Sequence, residues 1–338
     1  MGKRILIVNV NWIGDVLFTT PFIRAARESY PDGYIACLLH PRCKDMLEGN
    51  LRLDEIITYD EEGAHKSTIG KIKLIMELRK RHFDIAFILH RSFTKALIAY
   101  LAGIPERVGY PTKDRRMLLT KSIEEPIEEV HKVEYFLNLA RGYGMKSSDR
   151  SYEFFIKDSD RTYIKGFLAD NGVAEKDSLV AICPGGNWDP KRWPKENFAK
   201  ICDCLAEKFG VKIVITGAKK ETGLAEDIRK EMKAPAIIAA GRTTLKELGA
   251  LLERANLVIA NDTGSMHIAV AVKAKVIALF GPTSPEITGP YGKGNYRVIF
   301  NNASCDVPCY DVICKENRCM LAIKTDDVLL MAEELLKK

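Results

Sequence analysis

Several short stretches carry residues whose types and spacing suit proton removal and the binding of a phosphorylated ligand. Asn11-Trp-Ile-Gly14-Asp15 follows an apolar run, Arg4 to Val10, and precedes a helical segment. Gly14 lets the backbone turn tightly, and Asp15 then stands where a base can take the proton from a hydroxyl, a poor nucleophile until deprotonated. The same carboxylate can cap the helix, and the two roles do not exclude each other. In the second half, Cys183-Pro-Gly185-Gly186-Asn187 leads to Lys191-Arg192-Trp193-Pro194. Exposed glycine amides and two cations in a strand-to-helix loop suit a diphosphate; the alternative is an ordinary surface loop with a buried Trp.

Asn261-Asp262-Thr263-Gly264-Ser265-Met266-His267 ends one apolar run and opens another. Amides of Thr263, Gly264 and Ser265 at a helix start would point at a phosphate; a capped helix without ligand is the alternative. Glu221, in Gly217-Ala-Lys-Lys-Glu221, can accept from ribose hydroxyls or complement a helix dipole. Gly281-Pro-Thr283-Ser-Pro285 is a rigid turn whose hydroxyls would face the same place, so four loops are expected to converge. His267, flanked by apolar residues, reads as structural, or as a bond to a ligand or to the Pro184 loop, and not as catalytic.

Such loops need parallel strands to hold them. Short β-branched runs alternate with helical stretches, the pattern of βαβ units with helices on both faces. Strands are expected at Arg4 to Val10, Tyr34 to Leu39, Glu55 to Tyr59 and Phe83 to Leu89, and a second series at Leu179 to Cys183, Val211 to Thr216, Ala236 to Ala239, Leu257 to Ala260 and Val276 to Phe280. Thr244-Leu-Lys-Glu247 is a capping box, and Asp158-Ser-Asp160 reads as a helix cap, not as a metal–nucleotide signature. Gly142 to Asp160 loses periodicity, so the linker falls there. The expected division is 1–158, 159–322 and a C-terminal helix over 323–338 that packs back across the junction. The result is an α/β chain of two Rossmann-like domains facing across a cleft, with ligands at the carboxyl ends of the strands.

With 338 residues, two domains are the natural expectation. The start is too short in apolar residues for a signal peptide, and no run reaches about 18 apolar residues. The reading is a soluble, cytoplasmic protein. A net charge of +6 suits an anionic substrate or membrane surface and is too dispersed for nucleic acid. There is no Gly-x-Gly-x-x-Gly after the first strand and no Walker lysine motif, which disfavours a nicotinamide dehydrogenase or a phosphate-loop NTPase.

Taken in order, Gly14-Asp15, Lys191-x-Trp193-Pro194, Asp262-Thr263-Gly264 with His267, and Gly281-Pro282-Thr283 resemble glycosyltransferase family 9, the heptosyltransferases of lipopolysaccharide core assembly. The resemblance spans nearly the whole chain and is nearer to enzymes adding the second heptose. It implies an inverting, metal-independent GT-B transferase using ADP-heptose, with no cofactor, on a lipid A–Kdo–heptose acceptor at the inner membrane face. Asp15 would be the general base and Lys191 would stabilise the departing diphosphate. Gly14, Gly186, Asn187, Glu221, Asp262, Thr263, Gly264, Ser265 and His267 would line the donor. Gly186 and Asn187 depart from the hydroxyl residues usual in the family. For an anionic acceptor, the basic loop with Arg107, Lys113, Arg115 and Arg116 is a candidate, a solvated charged loop its alternative.

The chain carries nine cysteines. Cys37, Cys43, Cys183, Cys202 and Cys204 read as small core residues. Cys305, Cys309, Cys314 and Cys319 resemble the family's Cys-rich segment and read as structural thiols or a disulfide ahead of a metal site. The competing functions are a nucleotide-sugar epimerase of the same fold, a transferase using another nucleotide sugar, and a non-catalytic sugar- or nucleotide-binding protein.

Overall fold

The structure, a computed structural model, describes residues 2–147 and 149–337. It divides into two compact units, Met1–Phe155 and Ile156–Lys338. The first runs β1 (Arg4–Val8), α1 (Ile13–Phe18), α2 (Thr20–Ser29), β2 (Tyr34–Leu39), α3 (Lys44–Leu47), β3 (Glu55–Thr58), α4 (Thr68–Lys80), β4 (Ile85–Ile88), α5 (Phe93–Leu101), β5 (Glu106–Gly109), β6 (Lys121–Ser122) and α6 (Lys132–Tyr143). The second runs α7 (Asp158–Asp170), β7 (Leu179–Cys183), α8 (Lys195–Phe209), β8 (Lys212–Ile215), α9 (Thr222–Glu231), β9 (Ala236–Ile238), α10 (Leu245–Arg254), β10 (Leu257–Asn261), α11 (Gly264–Ala271), β11 (Val276–Phe280), α12 (Pro285–Thr288), β12 (Tyr296–Phe300), α13 (Arg318–Leu321) and α14 (Thr325–Leu336).

Among the described residues each unit holds one six-stranded parallel sheet, ordered β3-β2-β1-β4-β5-β6 and β12-β11-β10-β7-β8-β9. Each is Rossmann-like, and together they make the GT-B architecture. In both, the first strand of the unit sits in the middle and the chain reverses its direction of growth beside it, between β1 and β4 and between β7 and β10. Loops leaving those strands diverge to opposite faces and open a crevice at the carboxyl ends, where α/β sheets bind ligands. The central strands are buried on both faces: every residue of β7, β10 and β11 is buried. That explains why they read as unbroken apolar runs.

Helix starts follow local chemistry. At α10, Thr244 Oγ1 accepts from the Glu247 amide at 3.2 Å and the Glu247 carboxylate accepts from the Thr244 amide at 2.7 Å, the reciprocal box expected from sequence. At α7, Asp160 accepts from the Lys157 amide at 3.0 Å, so Asp158-Ser-Asp160 opens a helix.

Three expectations need correction. The first strand ends at Val8, and Asn9 turns away to bond Thr19 Oγ1. Arg107-Val-Gly109 lies in β5, paired with β4, where a loop was expected. The linker is shorter than Gly142 to Asp160, because α6 runs to Tyr143 and α7 starts at Asp158. The C-terminal helix α14 lies on α8 with Val328, Ala332 and Leu335 in the core of the second unit. β6 and β12 were not anticipated from sequence: the first is two residues long, and the second is an edge strand with no fully buried residue.

Candidate active site

In the second unit, β7 and β10 are neighbours in register, Ala260 beside Cys183, so their loops meet. Asn261, fully buried, ties them together: its Nδ2 donates to Pro184 O at 2.8 Å and to Gly185 O at 3.3 Å, and its Oδ1 accepts from the Trp193 amide at 3.2 Å. Trp193 is buried, packs edge-on against Phe198 and donates from Nε1 to Ile323 O at 3.0 Å. This anchors the loop that carries Lys191. Arg192 bonds Gly186 O at 2.9 Å and pairs with Asp189 at 2.8 Å, so it shapes the loop.

Lys191 Nζ lies 2.5 Å from Asp262 Oδ2, and both side chains are nearly buried. Thr283 Oγ1 donates to the same carboxylate oxygen at 2.7 Å, and His267 Nε2 stands 3.8 Å from Oδ1. Asp262 thus fixes the ammonium at the start of α11. Thr263 is the N-cap of α11 and, among the described residues, its side chain makes no cap bond, so the first-turn amides of Gly264 and Ser265 have no such partner. A lysine and a helix N-terminus side by side offer the positive charge and amide donors that suit an anion such as a diphosphate. Glu221 closes the fourth side: its carboxylate accepts from the Ala218 amide at 2.8 Å, and a Cβ added at Gly185 would fall 2.2 Å from its Oε1. A side chain at Gly185 would therefore displace the Glu221 carboxylate. The loops after β7, β8, β10 and β11 meet, as the sequence implied. Asn187 is exposed at the rim, and Gly186 lies against Arg192 and Lys191, 3.2 and 3.7 Å from an added Cβ.

In the first unit, Gly14 and Asp15 lie half-buried in the first turn of α1, directly after β1. Their loop is held by a network the sequence did not reveal. Lys95 of α5, buried, donates to Asn11 Oδ1 at 2.5 Å, reaches Asn9 O at 3.4 Å and pairs with Glu61 at 3.3 Å. Asn11 Nδ2 donates to Glu61 at 3.0 Å, while Arg42 Nε and Cys43 Sγ both bond Asn11 O at 3.0 Å. Burial pulls the Lys95 ammonium below its usual range, and Glu61 partly offsets this. A lysine directly ahead of the apolar run Ala96 to Leu101, just past a central strand, was the available clue.

His90, two residues past β4, accepts from the Ser92 amide at 3.0 Å through Nδ1. Burial, then the Lys95 charge, lower its pKa to about 4. The unfolded imidazole protonates near 6.5, so as pH falls from 6.5 to 4 the unfolded chain takes up a proton that the folded chain refuses, and stability drops. About 2 kcal/mol is expected to be lost in that window, allowing for the water that reaches a partly exposed ring. His90→Asn keeps the acceptor for Ser92 and should flatten this part of the pH profile in urea denaturation. An unchanged slope would assign the acid sensitivity to another group.

The basic loop splits in two. Arg115 is fully buried, donating to Tyr110 O at 2.8 Å and to His90 O. Arg107 donates to Leu118 O at 2.7 Å and Pro105 O at 3.2 Å. Both guanidinium groups satisfy backbone carbonyls, which corrects the view of a freely solvated basic loop, while Lys113 and Arg116 remain exposed. Among the described residues all nine cysteines carry free thiols; Cys37, Cys43, Cys183 and Cys202 are buried and Cys204 is half-buried. Cys305, Cys309, Cys314 and Cys319 border one small cavity of about 80 Å³ next to Pro190 and Pro282.

The glycosyltransferase family 9 (heptosyltransferase) model matches residues 71–319. Lipopolysaccharide heptosyltransferase 2 of Escherichia coli K12 is 25% identical over 301 residues, 85% of each chain, and lipooligosaccharide heptosyltransferase 2 of Haemophilus ducreyi is 29% identical over 86% of each. The crystal structure of a family 9 glycosyltransferase from Veillonella parvula superposes with a TM-score of 0.91 at 27% identity, covering 99% of this chain and 97% of that one. That of E. coli ADP-heptose lps heptosyltransferase II gives 0.81 at 24%, covering 99% and 98%. The fold is that of a GT-B glycosyltransferase. The chain belongs to glycosyltransferase family 9, the heptosyltransferases.

Proposed function

We propose that this chain transfers heptose from ADP-heptose to the inner core of lipopolysaccharide, with inversion and without a metal, in the cytoplasm at the inner membrane face. The observation that carries the donor half is the Lys191–Asp262 pair at the N-terminus of α11. An ammonium and helix amides supply the positive field that a departing diphosphate needs, the role a divalent cation has in other nucleotide-sugar enzymes. Thr263, Gly264 and Ser265 hold the phosphates, Glu221 accepts from the ribose, Gly186 and Asn187 border the sugar, and His267 steadies Asp262. Inversion is one in-line displacement: Asp15 takes the proton of the attacking hydroxyl as its oxygen bonds the anomeric carbon and the ADP oxygen leaves. The acceptor, a phosphorylated lipid-linked saccharide, is met by the first unit, with Lys113 and Arg116 as its cationic contacts and Arg107 and Arg115 shaping the surface behind them. Relatives named lipopolysaccharide heptosyltransferase 2 and lipopolysaccharide heptosyltransferase 3 support the reading.

Thermal stabilisation by ADP, UDP, GDP, CDP and NAD at equal concentration, with a chelator present, tests it. Ligand at about 100 times its Kd adds about 2.7 kcal/mol, so a preference for ADP is easily seen. A larger response to UDP or GDP would move the donor, and a response to NAD alone would overturn the assignment.

A further inference from the structure

One face of α4 is built against the usual pattern of a surface helix. Leu74 and Leu78 are buried in the core, so the opposite face should be polar. Ile69, Ile72 and Met76, at i, i+3 and i+7, instead stand 68%, 52% and 46% exposed. Helical spacing sets Lys73 and Lys80 along one flank of this stripe and Arg79 along the other, all exposed. Glu77, the acidic residue on the lysine flank, is bonded to Arg81 at 2.8 Å. Arg79 also donates to Leu101 O at 2.7 Å, which joins the stripe to the exposed Tyr100 and Leu101 of α5.

An apolar strip edged by cations asks for a partner that is apolar in depth and anionic at its surface. A protein's apolar patch answers the isoleucines and leaves the lysines unmatched, whereas the interface of an anionic bilayer answers both. α4 also follows the β3 loop, where Glu61 bonds Asn11 of the Asp15 loop. The stripe therefore begins at the carboxyl end of the sheet, the end that holds the proposed base.

We propose that the α4–α5 face, with Ile69, Ile72 and Met76 at its centre and Lys73, Arg79 and Lys80 at its edges, seats this chain on an anionic lipid bilayer. The inference deepens the proposed function and rests on its lipid-linked acceptor, since seating this face would hold the Asp15 loop near the membrane.

Sedimentation of the full chain with mixed phosphatidylglycerol–phosphatidylcholine vesicles and with phosphatidylcholine alone, at low and high salt, tests it. Each Lys or Arg near an anionic surface contributes roughly fivefold to partitioning. Lys73→Glu with Lys80→Glu should therefore weaken low-salt binding at least about 20-fold, with the difference fading at high salt. Ile69→Ser with Ile72→Ser should weaken it at least about tenfold at either salt. These side chains are exposed, so both variants should melt as the wild type does and keep turnover of a delipidated acceptor within about twofold. Equal sedimentation of wild type and variants, equal binding to neutral vesicles, or no vesicle binding by the wild type each overturn the proposal. Vesicle binding needs neither donor nor acceptor sugar, so if it follows this pattern while heptose transfer is absent, the membrane face stands and only the reaction falls.

Discussion

Asp15→Asn is expected to lower kcat by at least about 100-fold while the apparent affinity for ADP stays within about threefold of wild type. The substitution keeps size and hydrogen-bonding capacity and removes the ability to take a proton. Asp15 sits in the first turn of α1, in the first unit, and apart from Gly14 the residues assigned to the donor lie in the second. Loss of a base should therefore appear in turnover and leave nucleotide binding alone. Steady-state transfer with synthetic donor and a delipidated acceptor, beside ADP-induced thermal shifts, reads both quantities. Turnover near wild type would end the base assignment. A parallel loss of ADP response would show that the variant disturbs more than proton transfer.

Lys191→Met should show the complementary pattern: kcat/KM for the donor falls about 10²- to 10³-fold and the ADP thermal shift shrinks with it. Lys191 is the cation held against Asp262 at 2.5 Å beside the start of α11, so its charge meets the diphosphate both when the donor binds and when negative charge gathers on the leaving oxygen. The thioether fills the same space without the charge. Asp262 keeps the Thr283 hydroxyl at 2.7 Å, which limits the structural damage. Full donor turnover would mean that the α11 amides suffice and that Lys191 serves only to neutralise Asp262. The pair of variants thus separates the two ends of the displacement, one acting on kcat alone and the other on kcat and nucleotide affinity together.

Much of this was legible before any coordinates. The strands of both sheets read as apolar runs because parallel strands are buried on two faces. The capping box at Thr244 and the cap at Asp160 depend on residues three apart, a distance at which side chain and backbone meet whatever the rest of the chain does. Gly14-Asp15, the Lys191 loop and Asp262-Thr263-Gly264 were visible because each is a contiguous stretch at a strand end. Their functional direction was set by which strands precede them.

Pairings between stretches were decided by tertiary structure. Lys95 reaches Asn11 across 84 residues, Asn11 reaches Glu61 across 50, and Thr283 reaches Asp262 across 21. These contacts follow from strand order, β4 beside β1 and β11 beside β10. Periodicity carries no record of that order, because a strand looks the same to the residues within it whichever neighbour it takes. Arg115 read as a surface cation for the same reason: in sequence it stands among charges, and only the fold closes Tyr110 and His90 carbonyls around it. The α4 stripe shows the converse. Ile72, Ile75, Met76 and Arg79 stand at helical spacing in the sequence, and only packing shows that the core side is taken by Leu74 and Leu78. Sequence by itself determined the kind of fold and the loops that carry chemistry, since both rest on interactions within a few residues. The partners of those loops, and the apolar stripe left exposed on α4, had to wait for the tertiary structure, because they depend on which distant strands and helices come to lie side by side.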